Sequence, residues 1–152
     1  MNEGEAAAQS LCTACGLCCD GTLFGRTTVS PEHDGALLGL ERFEGFRDQP
    51  ALPQPCPALE GGRCAVYESR PRACRRYRCE LLRKVDRAEV SYDEALRLIV
   101  QHRQDLDRTT KALEAAVRDQ SLTLAERRVV EFERVVCLCS IRKVFQGKAV
   151  LT

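Results

Sequence analysis

Four cysteines lie within eight residues near the amino terminus, in the run Cys-Thr-Ala-Cys-Gly-Leu-Cys-Cys from Cys12 to Cys19. Four more follow at wider spacing, at Cys56, Cys64, Cys74 and Cys79. The 152-residue chain has five Phe, three Tyr and no Trp, so the side chains that usually dominate a hydrophobic core are scarce. Cross-links or bound metal must therefore supply part of the stability.

The remaining composition indicates a reducing compartment and no membrane. No apolar run approaches the roughly 18 to 20 residues that span a bilayer. Residues 1–11 lack the basic start and apolar core of a secretory signal, and we predict a disordered tail there. A cytoplasmic chain keeps its thiols reduced, so dense cysteine favours metal binding over disulfides. With a net charge of +1, neither nucleic acid nor a membrane surface is a favoured partner.

The cysteine spacing leaves the identity of the metal open. Thiolates suit zinc, copper(I) and iron–sulfur clusters. Zinc sites are commonly built from C-x-x-C pairs, which Cys12, Cys15 and Cys18 supply. Iron–sulfur clusters often take three ligands from a C-x-x-C-x-x-C run and a fourth from elsewhere, which tips the prediction slightly towards iron. Because adjacent Cys18 and Cys19 point in different directions, we expect two centres or one multinuclear centre.

Cys137 and Cys139 stand apart from the eight grouped cysteines. They lie about 200° apart around the last predicted helix, so they cannot easily share one ligand sphere. Cysteine is among the most frequently buried residue types. We therefore predict that these two are buried thiols and not metal ligands.

The segment between the two cysteine groups has sequence patterns that predict a strand, a helix and a loop. Glycines with β-branched and aromatic residues predict a short strand or hairpin at 21–29. Ser30 and Pro31 predict the start of a helix that runs through Leu37, Leu38 and Leu40. Four prolines within 49–57 predict an irregular loop that delivers Cys56.

The second cysteine group continues into another predicted helix. A brief strand is expected at 64–67, after a glycine turn. Ser69 and Pro71 then predict a helix that extends to Leu82 and carries Cys74 and Cys79. These two lie about 140° apart on a regular helix, so they face one ion only if the helix is irregular. Otherwise each serves a different site.

Two capping boxes predict a helical hairpin in the last third of the chain. Each box pairs an N-cap hydroxyl with a carboxylate three residues later, so that each side chain accepts a hydrogen bond from a free backbone N–H at the start of the helix. The pairs are Ser91 with Glu94 and Thr123 with Glu126. The first helix has one seam, formed by Ile99, His102, Leu106, Thr109, Leu113 and Ala116. The second has two apolar stripes, Val129, Phe132, Val136 and Cys139 on one side and Leu138, Ile141 and Phe145 on the other. We expect a turn at 119–122 and coverage of both stripes.

The predicted fold class is mainly α, with a small α+β element possible. An irregular, metal-stapled, cysteine-rich module at 12–90 would pack on an antiparallel helical hairpin at 91–152, and the two would form one domain. The module would hold its metal through two cysteine quartets, and the hairpin would offer a surface for a protein partner.

Several linked motifs resemble one known family. They are the C-x-x-C-x-x-C-C run at 12–19, Cys-Pro-Ala-Leu at 56–59, Gly-Arg-Cys-Ala-Val-Tyr-Glu at 62–68, Arg-Pro-x-x-Cys-Arg at 70–75 and Tyr-x-Cys at 77–79. Over residues 12–84 the chain resembles the CxxCxxCC family of zinc- or iron-chelating proteins, also called YkgJ-like cysteine-cluster proteins. The resemblance implies metal ligation by Cys12, Cys15, Cys18, Cys19, Cys56, Cys64, Cys74 and Cys79. Related domains occur in flagellin lysine methylases, but this chain has no glycine-rich strand-to-helix segment for a methyl donor.

Two enzymatic alternatives follow from the same residues. The clustered arginines Arg70, Arg72, Arg75, Arg76 and Arg78 either stabilise thiolates or form an ordinary solvated basic face. If they line a pocket beside an iron with an open coordination position, the protein would be an iron-dependent enzyme acting on an anionic substrate. A thiol oxidoreductase using Cys12 and Cys15 is the second alternative, although no thioredoxin-like context surrounds the pair.

The two histidines and several neighbours of the cysteines have lesser roles in this prediction. His33 is expected to be an exposed helical histidine, and His102 a hydrogen-bonded residue of the hairpin seam. Side chains close to the cysteines in sequence are candidates for contacting the ligands: Asp20, Tyr67, Glu68 and Tyr77.

Overall fold

The computed structural model describes residues 3–30, 32–34 and 51–147. Contacts divide the chain into two compact units, Met1–Arg78 and Cys79–Thr152. The boundary predicted after residue 90 therefore falls inside the second unit. Helices dominate, with two small two-stranded sheets, so the mainly α prediction is confirmed. None of the described helices is long and apolar enough to cross a membrane.

The first unit begins with helix α1, Glu3–Cys15. The sequence predicted a disordered tail up to residue 11, whereas the structure extends a helix through it. Alanines at 6–8 favour helix, and Leu11 is buried on this helix. Gly16 ends the helix in the left-handed conformation, with φ of 65°. The first cysteine run therefore straddles a helix end.

Two antiparallel strand pairs follow. Strand β1, Arg26–Thr28, pairs with β2, Ala51–Pro53, so the predicted strand at 21–29 is confirmed over three residues. The prediction of an irregular loop at 49–57 is wrong for Ala51–Pro53. Proline is tolerated there because a two-stranded sheet has only edge strands and Pro53 ends one of them. Strands β3, Leu59–Glu60, and β4, Arg63–Cys64, form the second pair around the glycine turn.

One hydrophobic cluster of this unit lies beside the first sheet. It consists of Val29, Leu52 and Ala58, with Cys56 and Val66 packed against it. Leu11, Leu17 and Leu23 of the same unit are also buried. No aromatic side chain is among the buried residues that the structure describes in this unit, in line with the scarcity of aromatic residues in the sequence.

The predicted helix from Pro71 to Leu82 is wrong as a single element. It is divided into α2, Arg72–Arg76, in the first unit and α3, Glu80–Asp86, in the second. Tyr77 is extended, with φ of −73° and ψ of 127°, and ends α2. Because of this break, Cys74 and Cys79 are not constrained to about 140° on one helix.

An early helical turn covers residues 32–34, where the Ser30 carbonyl accepts hydrogen bonds from the backbone N–H groups of His33 and Asp34. The rest of that predicted helix, with Leu37, Leu38 and Leu40, lies outside the described residues.

The second unit contains α3 and the helical hairpin. Helix α4 spans Tyr92–Arg118 and α5 spans Leu124–Gln146, and α3 packs against both. Ser91 caps α4, and Thr123 with Glu126 forms the complete capping box of α5, as predicted. The core contains Leu81, Leu82, Ala95, Ile99, Leu106, Thr109, Ala116, Ile141 and Phe145. The predicted seam and hairpin are therefore confirmed.

Candidate metal centre

The first cysteine run is shaped by the end of α1. Cys12 and Cys15 lie one turn apart, hence on one face of the helix. The Gly16 N–H donates to the Cys12 carbonyl at 3.2 Å, and the Cys19 N–H donates to the Gly16 carbonyl at 2.8 Å. These bonds fold the chain back into a tight turn that carries Cys18 and Cys19. All four of these thiols are half-buried.

A backbone hydrogen bond joins this turn to the second cysteine group. The Cys56 N–H donates to the Cys19 carbonyl at 2.7 Å. Gly21, whose φ of 91° favours glycine, lies beside Gln54, two residues before Cys56. Two segments that are far apart in sequence are therefore fixed side by side at Cys19 and Cys56.

Cys64 and Cys74 are tied to the same region. Cys64 ends β4 opposite Leu59, and the Leu59 N–H donates to the Cys56 carbonyl at 2.9 Å. Cys74 lies on α2, which contacts β1, and its side chain is hydrogen-bonded to Thr27 of that strand. Four separate backbone segments thus deliver one cysteine each.

Asp34 holds the start of α2 in place. It is only 4% exposed, and its two carboxylate oxygens accept backbone N–H groups from Ser30 and Arg72, each at 2.9 Å. The acceptor at the first turn of α2 is therefore supplied from 38 residues away, and Pro71 caps without any side-chain hydrogen bond of its own. Asp34 could not be identified from the sequence, because nothing local connects it to Cys74.

The thiols of these four cysteines interact electrostatically. The pKa of Cys19 is raised to about 12. Burial is the largest cause, and the neighbouring Cys56, Cys64, Cys74 and Asp20 add to it. Burial likewise raises the pKa of Cys74 to about 11, with Cys56 and Cys64 adding to the effect. We refer to Cys19, Cys56, Cys64 and Cys74 as the Cys19 cluster.

This cluster has the donors for a soft or borderline cation. Four thiolates form the closed set typical of structural zinc and of thiolate-bound iron. A bound cation would offset the burial and the repulsion by neighbouring thiolates that raise the pKa of Cys19 and Cys74. The described residues contain no group of three or more Cys, His, Asp or Glu side chains arranged to hold a metal ion. The four thiols are nevertheless close enough for Cys56 and Cys64 to raise the pKa of Cys19 and Cys74, and their chemistry suits zinc or iron.

Arg70 and Tyr67 lie at the side of the cluster. The Arg70 guanidinium stacks over the Tyr67 ring, 3.7 Å from its centroid. Arg70 lowers the pKa of Cys74. The pKa of Tyr67 is raised mainly by burial and to a smaller extent by Cys12. Within the described residues the buried Nε of Arg70 has no hydrogen-bond partner. Arg70 is therefore a cation within electrostatic reach of a cluster thiol.

The other clustered arginines are placed differently. Arg72, Arg75 and Arg76 are exposed on α2. These three therefore form an ordinary solvated basic face. Arg70 is the arginine that lies near a cluster thiol, as the other alternative predicted. Because these three arginines are exposed, they do not support the arginine-lined pocket that the enzymatic alternative requires.

The remaining predicted ligands lie outside the Cys19 cluster. Cys15 ends α1 and Cys18 lies in the turn that follows it. Cys79 belongs to the second unit, where it precedes α3 and its sulfur accepts the Leu82 N–H at 3.5 Å. None of the ten cysteines, all of them within the described ranges, forms a disulfide.

Cys137, Cys139 and the two histidines lie elsewhere. Both cysteines are half-buried on α5, less enclosed than predicted. His33 is exposed on the early helical turn, as expected. His102 lies on the hairpin seam, where its Nδ1 contacts the Leu98 carbonyl at 2.7 Å and its Nε2 contacts the Ser140 hydroxyl at 3.4 Å. The predicted hydrogen-bonded role of His102 is confirmed.

Comparison with known families decides the relationship of the chain. The CxxCxxCC family, described as a "Putative zinc- or iron-chelating domain", matches residues 11–92, more than half of the sequence. The chain belongs to the CxxCxxCC family. All eight grouped cysteines fall inside the matched range. No curated protein and no solved structure was found to match the chain.

Membership in the CxxCxxCC family agrees with the predicted metal binding. The family description names zinc and iron, the two metals favoured by the cysteine spacing. It gives no assignment of individual ligands. The geometry of the Cys19 cluster is therefore the basis for choosing among the eight cysteines of this CxxCxxCC protein.

Proposed function

We propose that this protein binds a zinc or iron ion through Cys19, Cys56, Cys64 and Cys74, and that the ion links the four segments that carry these cysteines. The supporting observation is that Cys56 and Cys64 both raise the pKa of Cys19 and of Cys74, although the four half-buried thiols come from a turn, a loop, a strand and a helix. Thiolate ligation releases protons and converts the repulsion between thiolates into attraction to the cation. The bound metal then serves as a cross-link between these segments.

Cys12, Cys15 and Cys18 are the further ligands of this proposal. Cys12 and Cys15 share one helix face and precede the turn with Cys18. Their C-x-x-C-x-x-C spacing suits a second ion or an iron–sulfur cluster. Cys19 is grouped here with Cys56, Cys64 and Cys74, whereas Cys79, which belongs to the second unit, stays a ligand predicted from the sequence alone. A cytoplasmic location, which keeps such thiols reduced, stays a prediction.

Metal content of matched variants tests the proposal. Zinc, iron and acid-labile sulfide are measured per chain on protein purified without oxygen, for the wild type and for single Ser substitutions of each Cys19-cluster member. Each substitution should lower the metal content. The control is Cys137→Ser, which removes a half-buried thiol of α5 and should leave the content unchanged. Full metal retention in Cys74→Ser, or equal loss in Cys137→Ser, would overturn the assignment.

The same samples distinguish the kinds of centre. Zinc without sulfide and without colour indicates closed thiolate sites. Iron without sulfide indicates a mononuclear thiolate site. Iron with sulfide and a broad visible absorption indicates a cluster, in which case the loss in Cys12→Ser and Cys15→Ser should match that in Cys74→Ser.

A further inference from the structure

Helix α5 presents an apolar stripe to solvent. Val129 is 58% exposed, Phe132 67% and Val136 50%. The opposite side of the helix carries the buried Ile141 and Phe145. The sequence pattern predicted that both apolar stripes of this helix would be covered, whereas Val129, Phe132 and Val136 are exposed to solvent. Such a row of large side chains on a stable helix is typical of an interaction surface.

The spacing of this stripe is that of a coiled coil. Alternating steps of four and three residues run along it for most of the helix. In heptad terms the a positions are Val129, Val136 and Lys143, and the d positions are Ala125, Phe132 and Cys139. In parallel coiled coils, β-branched residues at a are typical of two-stranded pairs, in which Leu usually occupies d; here Val129 and Val136 match this pattern at a, and Ala125, Phe132 and Cys139 stand at d. The helix is already formed by packing on α4, so pairing does not require helix nucleation.

Charges on the two flanks of the stripe are segregated by sign. One flank, the g positions, carries Arg128, Val135 and Arg142, and the other, the e positions, carries Glu126, Glu133 and Ser140. In a parallel pair, a g residue meets the e residue five positions further along the other helix. Arg128 then meets Glu133 of the second copy, twice by symmetry. An antiparallel pair would instead place basic flank against basic flank.

We propose that the stripe of α5 binds a second copy of this chain, with the two α5 helices parallel. Phe132 and Val136 form the centre of the contact, and the Arg128 and Glu133 pairs at its rim set orientation and register. Exposed ion pairs contribute little affinity but discriminate strongly against like-charge arrangements. A two-fold interface of this kind closes on itself and leaves no stripe free. The proposal uses no metal ligand and stands apart from the proposed function.

Solution mass of matched variants is the first test. Wild-type protein under reducing conditions should sediment with twice the 17.0 kDa mass of one chain. Phe132→Glu and Val136→Glu should raise the dissociation constant about tenfold or more. Val100→Glu is the matched control, since Val100 is 47% exposed on α4 and should leave the dimer intact. Circular dichroism confirms that each variant is folded. A monomeric wild type, or a dimer that withstands Phe132→Glu, overturns the proposal.

A charge exchange tests the orientation. Arg128→Glu and Glu133→Arg should each weaken self-association, because like charges then meet across the interface. Mixing the two variants should restore dimers that contain one chain of each, since both rim pairs become complementary. Distinct tags on the two variants report this mixed species. Failure of the mixture to associate more strongly than either variant alone overturns the parallel arrangement.

Discussion

Cys19 and Cys56 are joined by a 2.7 Å backbone hydrogen bond, and the Cys56 thiol contributes to the raised pKa of Cys19. This contact unites a turn after α1 with a loop 37 residues further along the chain. Main-chain hydrogen bonding thus fixes the positions of Cys19 and Cys56 relative to each other, and in the proposed function their thiols bind the cation. Removing either contribution should have a measurable and distinct effect.

Removal of the metal should loosen the first unit selectively. Ligation would supply cross-links between the segments that carry the Cys19 cluster, in addition to the aliphatic core of this unit. In stripped protein, backbone amides such as that of Cys56 should lose protection from hydrogen exchange, while those in the middle of α4 keep theirs. Residue-resolved exchange before and after chelation measures this. Equal protection of the Cys56 amide in both states would contradict the expectation.

The stability of metal-free protein should fall as the pH rises above 9. The pKa of Cys19 is raised from 9.0 to about 12, so the folded chain keeps a proton that the unfolded chain releases. A raised folded-state pKa contributes stability that is complete below 9 and is lost as the pH rises towards 12. Denaturant titrations at several pH values measure the slope. Since Tyr and Lys also titrate there, Cys19→Ser is the comparison, and it should show a shallower decline.

The hairpin could be predicted from the sequence because its rules are local. Thr123 and Glu126 satisfy each other three residues apart, and the seam from Ile99 to Ala116 follows helical spacing. Each signal lies within a few turns of the structure that it forms.

The cysteine-rich unit was predicted less well because its contacts are not local. Asp34 reaches Arg72 across 38 residues, and no pattern near either residue indicates it. The break at Tyr77 likewise had no signal stronger than the helix propensity around it. The candidate ligands could be named from the sequence, whereas the proposal that Cys19 groups with Cys56, Cys64 and Cys74 depends on contacts distant in sequence.

Arg70 should strengthen metal binding without touching the metal. It lowers the pKa of Cys74 and therefore favours the thiolate form that binds a cation. Arg70→Met should reduce metal affinity by about tenfold, the lower end for residues that support ligands. Competition with a chromophoric chelator measures this. Arg75→Met, which removes an exposed arginine of the same helix region, is expected to have no effect, and an equal loss there would assign the change to overall charge.

Asp34 should contribute to stability through its two backbone acceptors. In Asp34→Asn one oxygen becomes an amide that donates, so a buried N–H of Ser30 or Arg72 loses its partner. An unsatisfied buried donor costs about 1–3 kcal/mol. Chemical denaturation should show a loss of this size. Glu32→Gln, on the exposed side of the same turn, should change little, and a similar loss in both variants would indicate a charge effect.

The capping box of α5 offers a stability test confined to the second unit. The Thr123 hydroxyl accepts the Glu126 N–H at 3.3 Å, and the Glu126 carboxylate accepts the Thr123 N–H at 2.8 Å. Thr123→Ala should lower the unfolding free energy by about 1 kcal/mol, as is typical of a lost N-cap. Ser121→Ala, two residues earlier in the turn, is the control. Because the proposed metal ligands of the Cys19 cluster lie in the other unit, the metal content of Thr123→Ala should equal that of the wild type.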